Sequence, residues 1–182
     1  MVQTMPHLRP STRFAALLAH VTLLAALLLP LSALAVFAFW DALAPFAAKN
    51  LHYQFDLKAL DLPARLAVVA VLLSTAAIEA FGLLGLRRTF LEAAQGRAFS
   101  NKAVNGFRRF AWVSLVTVFT TVIQRTLLTV IFSLNDSAQG GILWVQFGSG
   151  EAKTFFTAML LVFTAQIFAE AKRAKDENDA FL

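Results

Sequence analysis

The sequence predicts an all-α membrane protein: a four-transmembrane-helix bundle with a small two-stranded β element on its outer face. Three observations carry that reading. Four apolar stretches are long enough to cross a bilayer, the basic residues concentrate in alternate connections, and the remaining connections hold β-prone runs. Composition agrees, since 58% of the 182 residues are hydrophobic and only 15% are charged, well outside the mix of a soluble domain. With eight Gly, five Pro and no internal repeat, the chain reads as a single domain spanning residues 1–182. The absence of Cys removes disulfides, thiol nucleophiles and iron–sulfur ligation together.

A bilayer core about 30 Å thick needs ~20 apolar helical residues to cross it. Residues 14–40, 66–86 and 110–134 satisfy this directly. The fourth stretch, residues 155–169, is short and is completed to 154–172 by Thr154 and the turn from Glu170 to Lys172, whose long side chains reach the interface. The first stretch also resembles a signal peptide, with Arg9 and Arg13 ahead of a Leu/Ala run ending at Ala33-Leu34-Ala35. Its apolar character continues through Phe37 and Phe39 to Trp40, and a membrane helix tolerates Pro30, so an uncleaved span is the better reading.

Orientation follows from Lys and Arg in the short connections. Arg9 and Arg13, the six cations Arg87, Arg88, Arg97, Lys102, Arg108 and Arg109, and Lys172, Arg173 and Lys175 place eleven on one side. The other side has four: Lys49, Lys58, Arg65 and Lys153. Both termini and the second loop are therefore expected in the cytoplasm, with Trp40, Trp112 and Trp144 near the water interfaces. On the outer side, residues 51–58 alternate apolar and polar without a break, and residues 142–147 form a second β-prone run between glycines. They can pair over the mouth of the bundle, or each can lie separately in the headgroup region.

In the second loop the chain reads as a helix running on to a Gly96 stop, then a cap at Ser100 or Asn101 opening a new helix. The Arg87/Arg88 and Arg108/Arg109 pairs lie at the depth of lipid phosphates, where each charge is worth ~1 kcal/mol against an anionic leaflet. Lipid anchoring and docking of an acidic protein both suit these cations, and a net charge of +5 gives no reason to expect nucleic acid.

Residues Leu86-Arg87-Arg88, Gln95-Gly96-Arg97-Ala98-Phe99-Ser100 and Asn105-Gly106-Phe107-Arg108-Arg109, with a tail from Ile167 through Glu177-Asn178-Asp179, resemble the YoaS-like family of small bacterial membrane proteins, a domain of unknown function. The likeness runs from about Leu62 to the C-terminus and departs at Ala98, where the family usually has Pro. It implies a four-helix inner-membrane protein with no assigned activity and a periplasmic outer face. In some bacteria the family is encoded beside a small helix-turn-helix regulator, which makes such a regulator a possible cytoplasmic partner by resemblance only.

Two charges lie within the apolar spans. Glu79 and Arg125 would each cost roughly 2.5–3.5 kcal/mol at a helix centre, so a partner is expected. Their backbones differ in depth by about 12 Å, but helical side chains lean toward their own N-terminus and these two lean toward each other. Direct or Gln-mediated contact is the expectation. Ser114, Thr117, Thr121, Gln124, Arg125 and Thr129 share one arc of the third helix, and Thr75, Glu79 and Gly82 one face of the second. Gly82 and Gly85 would admit a close neighbour. Thr157 and Thr164 mark a face of the fourth helix, while Gln166 points elsewhere, toward an oligomer contact.

This polar set, Glu79, Arg125, Gln124, Thr121, Thr117 and Thr75, has two readings: an interhelical network that fixes helix register, or a proton or cation site at Glu79. Enzymatic chemistry finds no support. His20 is the lone histidine at membrane depth and reads as a packed polar residue, and no phosphate loop, nucleophile with a base, metal ligand set or cofactor motif is present. The function expected is accessory, sensory or regulatory, exerted through the cytoplasmic loop and tail. The alternative is a small transporter, or transporter subunit, built on Glu79.

Overall fold

A computed structural model describes residues 10–43, 60–135 and 148–180. They form four long helices: α1 (Pro10–Ala38), α2 (Leu62–Ala94), α3 (Asn101–Asn135) and α4 (Ser149–Ala180). Each is long and apolar enough to cross a membrane, the architecture of a multi-pass membrane protein. At 1.5 Å per residue they run roughly 44–53 Å, well beyond a 30 Å hydrocarbon core. The surplus is used outside the apolar spans. The two β-prone runs, 51–58 and 142–147, lie outside the described residues, which contain no strand.

Local chemistry sets the helix ends. Asp61 caps α2 by accepting the Ala64 amide at 3.0 Å, and Pro63 follows in the first turn, where its missing N–H costs nothing. The helix begins four residues before the apolar span for this reason. In α1 the helix passes through Pro30, and Phe39 continues the ladder by donating to the Ala35 carbonyl at 2.9 Å.

Packing is sequential: α1 against α2, α2 against α3, and α3 against α4, with no comparable interface between α4 and α1 or α2 among the described residues. Small residues make the seams. Ala15, Ala19, Thr22, Ala26 and Ala33 are the buried side chains of α1, spaced by three or four positions as far as Ala26 and by seven to Ala33, and Ala158, Val162 and Ala165 are spaced by four and three on α4. In lipid, which is as apolar as Leu, such small residues drive association by close packing. The large residues of these helices, including Phe14, Leu24, Leu31, Phe156 and Phe163, point outward, as a lipid-facing surface requires.

The two ends differ. At one end Trp40, Leu60, Ala64, Val68 and Phe132 form a small core joining α1, α2 and α3. Trp40 is only 6% exposed and lies beneath the Arg65 guanidinium at 5.6 Å, while Arg65 also approaches Asp41 at 3.8 Å. The ring is packed within the protein, against Leu60 and Ala64 at the start of α2. Trp112 remains half-exposed as a belt residue would, and Trp144 lies outside the described residues. His20 is exposed, its Nδ1 within 2.8 Å of the Ala16 carbonyl, so it is satisfied by its own helix rather than packed in a core. At the other end, hereafter the hairpin end, α2 turns into α3 and α4 packs against that turn through Phe168.

Candidate functional site

At the hairpin end both helix termini are closed by local hydrogen bonds. Gly96 takes φ +75°, Arg97 donates its backbone amide to the Glu92 carbonyl at 2.9 Å, and Gly96 donates to Ala93 at 3.0 Å. This double closure stops α2 with a glycine in the left-handed conformation. Three residues later Ser100 accepts the Ala103 amide at 3.1 Å and so caps α3.

Between these caps sits Glu92, 9% exposed and not singled out from the sequence. Arg97 donates to it from Nε at 3.1 Å and Nη2 at 3.3 Å, and the Ser100 hydroxyl donates at 3.0 Å. One carboxylate therefore holds both sides of the turn. A signal existed in the spacing Glu92…Arg97…Ser100 around Gly96, but nothing in helical periodicity distinguishes it from a solvated charge run.

The Arg97 and Ser100 hydrogen bonds, with the nearby charges of Arg97 and Lys102, hold the Glu92 carboxyl below the usual carboxylate range despite its burial. A carboxyl with a lowered native value contributes stability that is full above the unfolded value and is lost as pH falls through the native one. Wild type is therefore expected to lose thermal stability on acidification below about 4.3, the ordinary glutamate value. The Glu92→Gln curve should start lower at neutral pH and lack this acid component. Parallel curves would show that Glu92 does not hold the turn.

Below the turn the two helices nearly touch. A Cβ on Gly106 would lie 2.6 Å from the Gly85 carbonyl oxygen, and one on Gly85 would lie 2.8 Å from the Gly106 oxygen. Gly82 faces only a side chain, Val113 Cγ1, at 2.8 Å. The Thr89 hydroxyl crosses to the Ala103 carbonyl at 2.9 Å. On the far side of α3, Phe168 of α4 stacks edge-on against Phe99 at 6.3 Å and Phe107 at 5.4 Å, which ties the end of α4 to the turn.

The six cations singled out from the sequence separate into distinct roles. Arg97 is committed to Glu92. Arg88, Lys102 and Arg109 line one cavity of about 470 Å³, together with Leu91, Glu92, Asn105 and Gly106. Arg109 lies across Gly85, with its guanidinium 4.6 Å from the Phe81 ring centre. Arg108 lines a different groove of about 220 Å³ with Trp112, Glu170, Arg173 and Gln166, which therefore faces the α3–α4 groove. Arg87 is half-buried, and its Nε has no hydrogen-bond partner among the described residues.

The polar set within the spans is rearranged relative to expectation. Arg125 forms its ion pair with Glu151, not with Glu79. The reason is the level at which α4 begins. Glu151, in the first turn of α4, reaches back to the Gly148 amide at 2.9 Å and comes opposite Arg125, so the cation is met from the neighbouring helix.

The expected interhelical hydrogen bonds of the threonines are also corrected. Thr75 donates to the Val71 carbonyl at 3.3 Å and Thr121 to Thr117 at 2.8 Å, each within its own helix, where the carbonyl one turn back is always in reach.

Glu79 has no hydrogen-bond or ion-pair partner among the described residues. It lines two adjoining cavities. One, of about 230 Å³, includes Ser32, Thr75 and Gln124, and the other, of about 270 Å³, includes Gly82, Ser114, Thr117 and Thr154. The structure thus brings Glu79, Gln124, Thr75 and Thr117 onto one groove and leaves Arg125 on another contact. No family model, curated protein or solved structure matches the chain.

Proposed function

We propose that this chain is an accessory protein of the bacterial inner membrane, with both termini cytoplasmic, acting in a sensory or regulatory role through a rigid helical platform on the cytoplasmic side. The observation that supports it is the construction of the hairpin end. α2 runs eight residues past its apolar span, α3 begins nine residues before its own, and α4 continues eight past residue 172, so helices extend roughly 12–14 Å beyond the hydrocarbon layer. The Glu92 clasp and the Phe168 stacking join them into one unit. A surface fixed this firmly suits a protein partner, while its cations suit the anionic leaflet beneath. The resemblance to the YoaS-like family makes a helix-turn-helix regulator the first partner to try.

The test is site-specific photocrosslinking in cells, with the reactive residue at Lys102 or Lys175 on the platform and at Leu31 on the lipid face. Platform positions are expected to give a discrete protein adduct and Leu31 none. No adduct at either platform position overturns the reading.

A second reading is favoured by one observation, the unpaired Glu79 on its groove. A carboxyl beside Ser32, Thr75 and Gln124 can hold a proton or a cation, as a small transporter or transporter subunit would need. Flux in proteoliposomes that disappears in Glu79→Gln, with no platform adduct, would put this reading first.

A further inference from the structure

We infer that the cavity between α2 and α3 at the hairpin end is a binding site for one phosphoryl group, presented by the headgroup of an anionic phospholipid. The inference rests on reading the hairpin end as the face that meets an anionic leaflet, and it narrows six dispersed cations to three.

Arg88, Lys102 and Arg109 are the cations that share this cavity, and none has a hydrogen bond or an ion pair among the described residues. Glu92, the one acid among the lining residues, also feels the Lys102 charge, but its oxygens are held by Arg97 and Ser100, so it offsets only part of the positive charge. Three positive charges and one negative thus border a space of about 470 Å³, many times the ~30 Å³ share of a water molecule, which leaves the site net positive. Guanidinium groups match phosphate oxygens in a planar fork, and a lysine adds a point charge.

Depth identifies the source of the phosphate. Arg88 lies two residues beyond the second apolar span and Arg109 one residue before the third, so the cavity opens at the boundary between hydrocarbon and headgroups. Its wall is mixed to suit. Leu91 is apolar, and Arg109 is held over Phe81 with its stem along Gly85, which keeps a charge at the edge of the apolar layer. A soluble anion needs no apolar wall, whereas a phospholipid presents its phosphate just above its chains.

The experiment measures thermal stability of the full chain in neutral detergent, titrated separately with phosphatidylglycerol, phosphatidylcholine, inorganic phosphate and an oligo-glutamate peptide. A ligand that binds only the folded state raises the melting temperature with concentration. Phosphatidylglycerol is expected to raise it and the other three to leave it unchanged. Arg88→Gln and Lys102→Gln, both at exposed positions, should each weaken the apparent affinity about fivefold and together about thirtyfold, while Arg108→Gln behaves as wild type. An equal loss in Arg108→Gln would overturn the site in favour of diffuse attraction and leave the leaflet reading standing. No response to phosphatidylglycerol at all would remove both. An equal response to inorganic phosphate would make the ligand a free anion, and an equal response to oligo-glutamate would make the cavity a dock for an acidic protein; either result overturns the lipid assignment.

Discussion

Gly106→Val is expected to destabilise the protein by about 3 kcal/mol or more, the upper end of what overpacking costs, because the obstacle is backbone. A Cβ at position 106 meets the Gly85 carbonyl oxygen at 2.6 Å and the Thr89 amide nitrogen at 3.2 Å, both backbone, and neither can move without separating α2 from α3. Separation would also break the Thr89 bond to Ala103 just above the crossing. Gly82→Ala provides the comparison, since its neighbour is the Val113 side chain and not backbone: Cγ1 can turn away and Cβ, at 3.0 Å, needs only a small shift, so a loss of about 1 kcal/mol is expected there. Thermal or denaturant unfolding in detergent reads both. Equal, small losses would mean that the helices are free to part at this level. The phosphoryl cavity shares Gly106 as a lining residue, so the close crossing also sets its width.

The crossing shows what a single sequence makes legible and what it leaves hidden. Gly82 stands out because glycine within a membrane helix, on a face with Glu79, implies a close neighbour, and Gly85 lies nearby. Their counterpart Gly106 lies in a polar stretch, Asn105-Gly106-Phe107, where glycine also reads as a loop residue. The Gly96 stop and the Ser100 cap were legible because capping is local chemistry. The alanine seam of α1 was hidden by composition, since in a Leu/Ala helix the buried small residues become visible only once a neighbour covers them.

Relative heights of helices are the least legible feature. The expected Glu79–Arg125 contact depended on the depths of α2 and α3 alone, and it left out Glu151, placed with the loop before the fourth span. Where α4 begins relative to α3 depends on packing of Ala111 with Val162 and Ala165, which helical periodicity does not encode. Once Glu151 stands opposite Arg125, that cation is already paired, and the two acids exchange the roles expected of them.

That exchange leads to the second large effect. Glu79→Leu is expected to raise thermal stability in detergent by up to about 3 kcal/mol, because translocon scales separate a charged residue from Leu at a helix centre by roughly that amount and Glu79 has no partner whose loss would offset the gain. The corresponding loss for a paired acid has the opposite sign, so Glu151→Gln should destabilise. A double-mutant cycle then separates the pairs: Arg125→Gln and Glu151→Gln should be non-additive, whereas Arg125→Gln and Glu79→Gln should add. Destabilisation by Glu79→Leu, or coupling of Glu79 to Arg125, would restore the structural ion pair and remove the observation that favours a transport role. A gain in stability would carry the opposite consequence. Most substitutions in a folded protein destabilise it, and a residue whose removal helps folding is typically kept for an activity that needs it. In that case the groove formed by Glu79, Gln124, Ser32 and Thr75 becomes the place to look for a proton or cation, and the rigid hairpin beneath it becomes the frame that holds α2 and α3 at a fixed spacing around the site.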